Sequence, residues 1–568
     1  MTEEVLKTTM SLCPECLNQI PAEFYVDPKT NWVMMRKKCK EHGEFKDKIS
    51  IDVEDYKWSQ KFTEEVGSST GDAISTKPCE VSSGIKKTST RGCPYDCGIC
   101  ENHKSAPCIC LIDVTNRCNL ACPICFANAS AKGYVVEPSF DDIVRIMKHF
   151  RSMKPVPAVL LQFAGGEPTL RDDLPDMIRT GKELGFLDAM VSTNGIRIAK
   201  SIEFLKEMKD AGLNTIYLQF DGTDDPEMWK KMRGVNLWPI KKKAVENIRK
   251  VGGLTLMLVP VVAKGVNDHQ VGAIMDFAKQ NKDICGGVVF QPVSLCGRIS
   301  FEELMDLRYT TSDLKRDINK ATNNVITKFY PIATSSKFTS LLAWFDDAVN
   351  WSTTSHHDCG FATIGIVNKK NEWEPIENYV DVESLIRWSN KVYDMVQARV
   401  VPKPTNLLGK LNLADYGPIA DSVGKFIDKM TNLGYRQMMK AYYFAGLLRY
   451  VKIKRVIDSK FFDALTKMVF APNMRTAGNF LLTGNMLISA MHFQDAYNFD
   501  LNRIKSCLVH YGVVDPENPA RILEIPFCAM NTVHRERIEL AHAIKGQQAE
   551  KPDVITERIT KYVETLEK

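Results

Sequence analysis

Six short apolar runs follow one another between residues 111 and 292, and amphipathic stretches separate them. Their length and their content of Val, Ile, Leu and aromatic residues predict buried β-strands. The predicted strands are LIDVT at 111–115, AVLLQF at 158–163, AMVST at 189–193, TIYLQF at 215–220, LTLMLVPVV at 254–262 and GVVFQP at 287–292. The intervening stretches have helical spacing. Ser139, for example, is predicted to cap a helix on which Ile143 and Met147 share one face.

This alternation predicts an α/β fold. Six parallel strands with helices outside them form an incomplete barrel, here a partial (β/α)6 barrel, whose chemistry lies at the C-terminal ends of the strands. N-terminal metal-binding modules are predicted before the barrel, and a largely helical C-terminal domain after it. The predicted domains are 1–60, 61–110, 111–300 and 301–568.

Composition agrees with a globular protein, since 44% of the 568 residues are hydrophobic and 25% are charged. The net charge of +5 is too small to indicate nucleic-acid binding, although it is compatible with contact to an anionic membrane surface. The first ten residues, MTEEVLKTTM, lack the order of a secretory leader, and no apolar stretch has the length of a spanning helix. We therefore expect a cytoplasmic protein.

The cysteines change this picture, because twelve of the seventeen lie within the first 125 residues. Disulfides are rare in the cytosol, so metal binding is the better interpretation. The sequence CNLACPIC supplies the thiolates of Cys118, Cys122 and Cys125, one fewer than complete ligation of a four-iron four-sulfur cluster requires. The open iron site suits S-adenosylmethionine (SAM), whose cleavage there would yield a 5'-deoxyadenosyl radical.

The same spacing recurs at Cys93, Cys97 and Cys100, so spacing alone does not identify the reactive cluster. Context does, because the loop of Cys118 follows a predicted strand, and the next strand ends in GGEP at 165–168. This order closely resembles the radical SAM superfamily. The resemblance implies that Cys118, Cys122 and Cys125 carry the catalytic cluster.

The resemblance also implies a SAM site at the strand ends. Gly165 and Gly166 would let the backbone approach the methionyl part of SAM, and Glu167 would accept a hydrogen bond from its ammonium group. By the usual arrangement of the family, four further residues would border SAM: Ser192, Asn194, Asp221 and Gln291.

The other cysteines predict further metal sites. Cys93, Cys97 and Cys100 are expected to bind an auxiliary iron–sulfur cluster, or else a structural zinc ion, with Cys108 as the fourth ligand. Three alternatives to Cys108 remain: Cys79, Cys110 and His103.

Near the N-terminus, Cys13, Cys16, Cys39 and His42 together predict a mononuclear zinc or iron site with a structural role. Downstream, Cys359, Cys507 and Cys528 stand among polar and turn residues and are candidates for a third cluster.

A set of motifs spread from residue 13 to 530 resembles the archaeal tetraether lipid synthase family (glycerol dibiphytanyl glycerol tetraether synthase), whose close relatives include proteins assigned as pterin methyltransferases. The motifs include CPEC, HGEF, GCPYDCGICENHKS, GGEPTLRDDL and IPFCAMN. This resemblance implies an enzyme that joins the terminal methyl carbons of isoprenoid ether lipid chains. It implies a reductant such as ferredoxin or flavodoxin and peripheral contact with a membrane. The apolar segment from Tyr442 to Phe499 would form either a lipid tunnel or the packed core of a helical domain.

Two alternatives stay open. A radical SAM methyltransferase acting on a pterin, a methanopterin precursor, would need a polar pocket for an aromatic ring in place of the tunnel. A non-catalytic iron–sulfur electron carrier would need no SAM site.

Overall fold

The computed structural model describes residues 3–62, 69–70, 73–74, 91–97, 99, 103–129, 133–154, 157–297, 306–345, 354–400, 434–452 and 485–567. Cys79 and Cys100 lie outside the described residues, as does the part of the predicted tunnel segment from 453 to 484.

The strands are β1 (Glu4–Leu12), β2 (Gln19–Val26), β3 (Val33–Cys39), β4 (Gly43–Ser50), β5 (Ser69–Thr70), β6 (Ala73–Ile74), β7 (Ile109–Thr115), β8 (Leu160–Gly165), β9 (Asp188–Thr193), β10 (Thr215–Gln219), β11 (Thr255–Val259), β12 (Val261–Val262), β13 (Cys285–Pro292), β14 (Tyr330–Pro331), β15 (Gly360–Val367), β16 (Trp373–Pro375), β17 (Asn485–Met491), β18 (Val509–Val514) and β19 (Ile522–Pro526). The α-helices span Val53–Ser59, Phe140–Ser152, Leu174–Glu183, Ile196–Lys200, Ile202–Asp210, Pro226–Arg233, Trp238–Val251, Val271–Gln280, Thr311–Ala321, Ser336–Phe345, Val382–Gln397, Tyr435–Leu447, Leu501–Lys505, Phe527–Ala529, Arg535–His542 and Pro552–Glu567.

The predicted partial barrel is confirmed. Strands β7, β8, β9, β10, β11 and β13 pair in that order, each parallel to the next. The run LTLMLVPVV is divided at Pro260, which has no N–H to donate to a ladder, so β11 ends at Val259 and the two-residue β12 pairs with β13. The apolar core lies between the strands and the helices outside them.

Segments from the C-terminal region extend both edges of the barrel sheet. Strand β17 pairs parallel to β13 at one edge, and β18 pairs parallel to β7 at the other. Among the described residues beyond 300, most regular structure is helical, as expected, but the strands there, β14 to β19, were not predicted. The barrel partners of β17 and β18 lie far away in the sequence, so local patterning carries no signal for this pairing.

The N-terminal strands β1 to β4 form an antiparallel sheet that docks on the C-terminal region through buried ion pairs. Arg308 lies between two carboxylates, with nitrogen to oxygen distances of 2.6 Å to Asp47 and 2.8 Å to Asp495. Lys48 of β4 lies 2.9 Å from Asp313. These charges are buried, so the loss of either partner would leave an uncompensated ion. The ion pairs therefore hold the N-terminal sheet against the C-terminal region.

Among the described helices, none combines the length and the apolar character needed to cross a membrane.

Candidate active site

The three cysteines of the CNLACPIC loop line one cavity at the C-terminal ends of the barrel strands. Burial raises the pKa of the Cys118 thiol, and the nearby Cys122 and the Glu167 carboxylate add to that rise. Burial also raises the pKa of Cys122, whereas the neighbouring guanidinium of Arg233 opposes it. Three converging thiols that form no disulfide are a suitable donor set for an iron–sulfur cluster.

Gly165 and Gly166 lie where β8 runs against the chain that enters this loop. A Cβ atom on Gly165 would lie 2.2 Å from the Thr115 carbonyl oxygen, and one on Gly166 would lie 2.1 Å from that of Arg117. Gly165 also has φ of +123°, which disfavours any side chain. The two glycines are thus required to join β8 to the cysteine loop, in addition to any contact with a ligand.

Glu167 is 1% exposed, and its carboxylate accepts four hydrogen bonds. Oε1 accepts from the Thr169 amide at 3.1 Å, the Thr169 hydroxyl at 2.5 Å and the Thr193 hydroxyl at 2.7 Å, while Oε2 accepts from the Asn194 amide at 2.7 Å. Burial raises the pKa of Glu167. These donors fix the carboxylate beside Cys118 and leave Oε2 with capacity for a cationic ligand group.

Three other residues predicted to border SAM line the same cavity: Ser192, Asn194 and Gln291. The Ser192 hydroxyl accepts from Gln162 at 2.7 Å, and the Asn194 side-chain amide donates to Asn119 at 2.6 Å. Their positions at strand ends follow from the barrel, as the sequence indicated.

Asp221 lies behind the cavity wall, fully buried, and its side chain is already engaged. Its two oxygens accept from Arg233, Nε to Oδ2 at 2.6 Å and Nη2 to Oδ1 at 2.9 Å, and Oδ1 also accepts from the Val261 amide. Arg233 in turn donates to the Ile124 carbonyl at 2.9 Å, within the cysteine loop. In this arrangement Asp221 acts on the loop through Arg233, a residue that no sequence motif had indicated.

Lys241 is a second buried cation that the sequence did not reveal. Its ammonium group donates to the Asn194 carbonyl at 2.7 Å and to the Gln219 side chain at 3.2 Å. Burial lowers the pKa of Lys241 to about 7. The hydrogen bonds of Lys241 therefore stabilise the end of β9 from outside the cavity.

Residues from beyond the barrel give the cavity an aromatic wall. Phe493 and Phe527 stack with their ring centroids 4.0 Å apart, and Tyr511 stacks on Phe527 at 5.4 Å. The amide side chains of the lining are Gln162, Asn194, Gln219, Gln291, Gln494 and Asn531, of which the first four lie on barrel strands or at their ends. Aromatic and amide side chains together suit a flat, polar ring.

In the N-terminal sheet, the turns after β1 and β3 bring the four predicted ligands together. The ligand atoms of Cys13, Cys16, Cys39 and His42 all lie within 4.8 Å of one another. His42 Nδ1 is 3.6 Å from the Cys13 sulfur and 3.5 Å from that of Cys39. Backbone donors at Glu41, together with His42, lower the pKa of Cys39 to about 6, which favours the thiolate that a metal requires.

Comparison with known families and proteins agrees with both sites. A family model described as the radical SAM superfamily matches residues 112–278, and one described as the HMPTM N-terminal zinc ribbon domain matches residues 5–51. A 7,8-dihydro-6-hydroxymethylpterin dimethyltransferase of Methanocaldococcus jannaschii is 39% identical over 94% of this chain and 95% of its own length. The chain belongs to the radical SAM superfamily.

More distant matches cover smaller shares of the chain. A probable GTP 3',8-cyclase of Methanococcus maripaludis is 30% identical over 38% of this radical SAM protein and 68% of its own length. Among solved structures, Streptococcus suis SuiB bound to the precursor peptide SuiA is 22% identical, covers 39% of this chain and 47% of that chain, and has a TM-score of 0.33.

Radical SAM proteins bind a four-iron four-sulfur cluster and SAM, and the residues present fit both. The Cys118 loop supplies three thiols, and the buried Glu167 lies beside them. The tetrahedral donor set of the zinc ribbon fits one further metal ion.

The prediction that this radical SAM protein couples isoprenoid ether lipids is wrong. The relative that matches it almost from end to end is a pterin dimethyltransferase, which corresponds to the alternative in the sequence analysis. The predicted lipid partner and membrane contact depended on that prediction and are no longer supported. The motifs used for the prediction are mainly cysteine loops and the GGEP strand end, which concern metal and SAM binding rather than the substrate.

Six further cysteines that were predicted as metal ligands lie among the described residues: Cys93, Cys97, Cys108, Cys359, Cys507 and Cys528. Cys93 and Cys97 pack in the same apolar cluster as Cys528, while Cys108 is buried and burial raises its pKa to about 12. Cys110 points from β7 into the barrel core.

Cys359, Cys507 and Cys528 come from three separate segments and converge near Arg503. Burial raises the pKa of Cys507 to about 12, with Cys359 adding to the rise. Burial likewise raises the pKa of Cys528 to about 12, and Arg503 opposes it. Burial alone would lower the pKa of Arg503, but Cys359 and Cys528 raise it. A buried guanidinium beside three thiols would offset the charge of thiolate ligands.

Proposed function

We propose that this chain is a radical SAM methyltransferase of a dihydropterin, with 7,8-dihydro-6-hydroxymethylpterin as the first candidate substrate. The observation that carries the proposal is the match to the pterin dimethyltransferase over nearly the full length of both chains. The aromatic side chains Phe493, Phe527 and Tyr511 support it, because a pterin is a flat ring and Tyr511 also lines the adjoining cavity at the ends of β7 and β8.

When bound, the cluster and SAM supply a 5'-deoxyadenosyl radical. The residues of the chain bind and orient the reactants. Glu167 is held ready to accept from the ammonium group of SAM, and the pair of Asp221 and Arg233 fixes the cysteine loop. The stacked rings of Phe493 and Phe527 exclude water from one side of the cavity. Electrons would come from a reductant such as ferredoxin or flavodoxin.

The test is an anaerobic reaction of the reconstituted protein with dithionite, 7,8-dihydro-6-hydroxymethylpterin and SAM that carries a deuterated methyl group. Mass spectrometry should detect 5'-deoxyadenosine and a pterin with one or two added methyl groups, and the label will show whether SAM donates them. Cys122→Ala protein should form neither product. Formation of 5'-deoxyadenosine with an unchanged pterin would refute methyl transfer from SAM, the methyl donor supplied, to this pterin, and absence of both products would favour the electron carrier.

We also propose two auxiliary metal sites. Cys93, Cys97 and Cys100, with Cys108 as the fourth ligand, would hold one cluster, and Cys359, Cys507 and Cys528 would hold a second near Arg503. The interactions among Cys359, Cys507 and Cys528 support the second site, since they resemble those within the Cys118 triad.

Cys507→Ala is expected to lower the iron content of the reconstituted protein by about four atoms per chain, one cluster's worth. The matched control is Cys285→Ala, because Cys285 is a buried cysteine that donates to the Gly287 carbonyl of its own strand. Iron analysis and absorption spectra measure the difference. Equal iron content in the two variants would mean that Cys507 holds no cluster.

A further inference from the structure

A second cavity adjoins the cysteine cavity at the ends of β7 and β8. The two share Gly165, Gly166 and Tyr511 in their linings. On one side the second cavity is bounded by the strand ends and β18, and on the other by the helix Arg535–His542. A molecule bound there would therefore lie directly beside the site of radical generation.

Arg535 is the central cation of this second cavity and is 6% exposed. Its Nε donates to Asn531 at 2.8 Å, and its Nη1 donates to Asp113 at 2.7 Å and to Glu539 at 3.1 Å. Its Nη2 is buried and donates to no group among the described residues. A buried guanidinium nitrogen without an acceptor is costly, so a ligand acceptor is the natural partner for it.

Asp113 lies next to Arg535 and points into the same cavity from β7. Its Oδ2 accepts from Arg535, whereas its Oδ1 accepts no hydrogen bond from the described residues. Burial raises the pKa of Asp113, and Arg535 opposes that rise. Together, the two Asp113 carboxylate oxygens and Arg535 Nη2 offer two acceptors and one unused donor along one side of the cavity.

We infer that Asp113 and Arg535 bind the 2-amino-4-oxopyrimidine edge of the substrate. This inference rests on the proposed pterin methyltransferase. A pterin presents, in order, the 2-amino donor, the N3–H donor and the carbonyl acceptor at position 4. Asp113 accepts from the two donors, and Arg535 Nη2 donates to the carbonyl. Tyr511, whose ring lies 5.3 Å from the Arg535 guanidinium carbon, borders the site and supplies an aromatic surface.

Guanine nucleotides present the same three hydrogen-bonding groups as a pterin. The charges of the cavity distinguish the two kinds of ligand. Four carboxylates line it, those of Asp113, Glu137, Asp142 and Glu539. Against them stand only Arg535 and His542 as basic lining residues. A triphosphate would be repelled by this lining, whereas an uncharged pterin would not. The ligand is therefore a pterin.

The experiment compares ligands by anaerobic equilibrium dialysis against the reconstituted holoenzyme with SAM. The ligands are 7,8-dihydro-6-hydroxymethylpterin, its 2,4-dioxo analogue and GTP. Wild type should prefer the pterin. In Asp113→Asn, the side-chain amide oxygen will still accept a hydrogen bond from Arg535, so the side-chain NH2 group faces the 2-amino group of the ligand. Pterin affinity should then fall about tenfold to a hundredfold, while the dioxo analogue, which offers an acceptor at that point, should lose nothing or gain.

Arg535→Lys keeps the charge but removes Nη2, and it should weaken both pteridines by about tenfold or more. The control is Arg537→Lys on the same helix, whose side chain is 51% exposed and pairs with Glu517 at 3.2 Å. Its affinities should equal those of wild type. The ratio of the two pteridine affinities does not depend on the folded fraction, so partial unfolding of Asp113→Asn cannot imitate the expected reversal.

The outcomes separate the two proposals. If wild type neither binds nor methylates the pterin, the proposed function and the pocket both fail. If wild type methylates the pterin and Asp113→Asn keeps the wild-type ratio, the pocket assignment alone is overturned. Tighter binding of GTP than of the pterin would overturn the pterin assignment.

Discussion

Glu167→Gln is expected to reduce the formation of 5'-deoxyadenosine at least about a hundredfold, equivalent to about 2.7 kcal/mol. The Glu167 oxygens accept four hydrogen bonds from amides and hydroxyls, and every one of these partners donates. A glutamine nitrogen cannot accept, so at least one buried donor loses its partner, at a cost of about 1–3 kcal/mol. The substitution also removes the negative charge that would attract the ammonium group of SAM.

Quantification of 5'-deoxyadenosine by liquid chromatography, with SAM varied over a wide range, tests this expectation. Glu227→Gln is the control, since Glu227 is 76% exposed and pairs only with Lys230 on the surface. Iron content of both variants should match wild type. Wild-type turnover of Glu167→Gln at low SAM concentration would show that Glu167 has no part in SAM binding.

Arg233→Met is expected to destabilise the barrel by about 3–5 kcal/mol, because it leaves the Asp221 carboxylate buried without its counter-ion. Arg233 is within 2.6 Å of Asp221 and also binds the Ile124 carbonyl of the cysteine loop. Loss of this cation should therefore loosen the loop as well, and the variant should retain less iron after reconstitution.

Urea titration under anaerobic conditions, followed by the visible absorption of the cluster, measures the effect. The double variant Asp221→Leu/Arg233→Met removes both charges and should recover most of the stability. Arg249→Met disrupts the exposed pair with Asp283 and should cost less than about 1 kcal/mol. Equal urea midpoints for Arg233→Met and Arg249→Met would mean that the Asp221 pair does not stabilise the site.

The barrel strands could be predicted because parallel strands covered on both faces appear as continuous apolar runs. Strands β17 and β18, which continue the sheet past β13 and β7, could not, since their pairing depends on contacts across more than a hundred residues. For the same reason, Arg233 and Lys241 were missed: each is an ordinary basic residue of a helix until the fold buries it.

Cysteine spacing predicted the metal site of the N-terminal sheet, whose ligands lie close together along the chain, and the strand and GGEP context distinguished the Cys118 loop from the Cys93 loop of the same spacing. The resemblance to tetraether lipid synthases indicated the substrate class incorrectly, because the side chains that form a cavity come from many elements. Asp113 and Arg535, which line one cavity, are separated by 422 residues. Asp221 was expected beside SAM from its place after a strand, yet its side chain turns to Arg233.

The placement of β17 and β18 on the two edges of the barrel sheet has a consequence for biosynthesis. The N-terminal edge strand β7 acquires its neighbour β18 only after the chain has been synthesised beyond Val514. Until then the β7 edge of the sheet exposes unpaired backbone groups, which invites aggregation. Such long-range closure is slow compared with local folding. The sheet of the nascent chain should therefore stay open at β7 until the chain beyond β18 has been made.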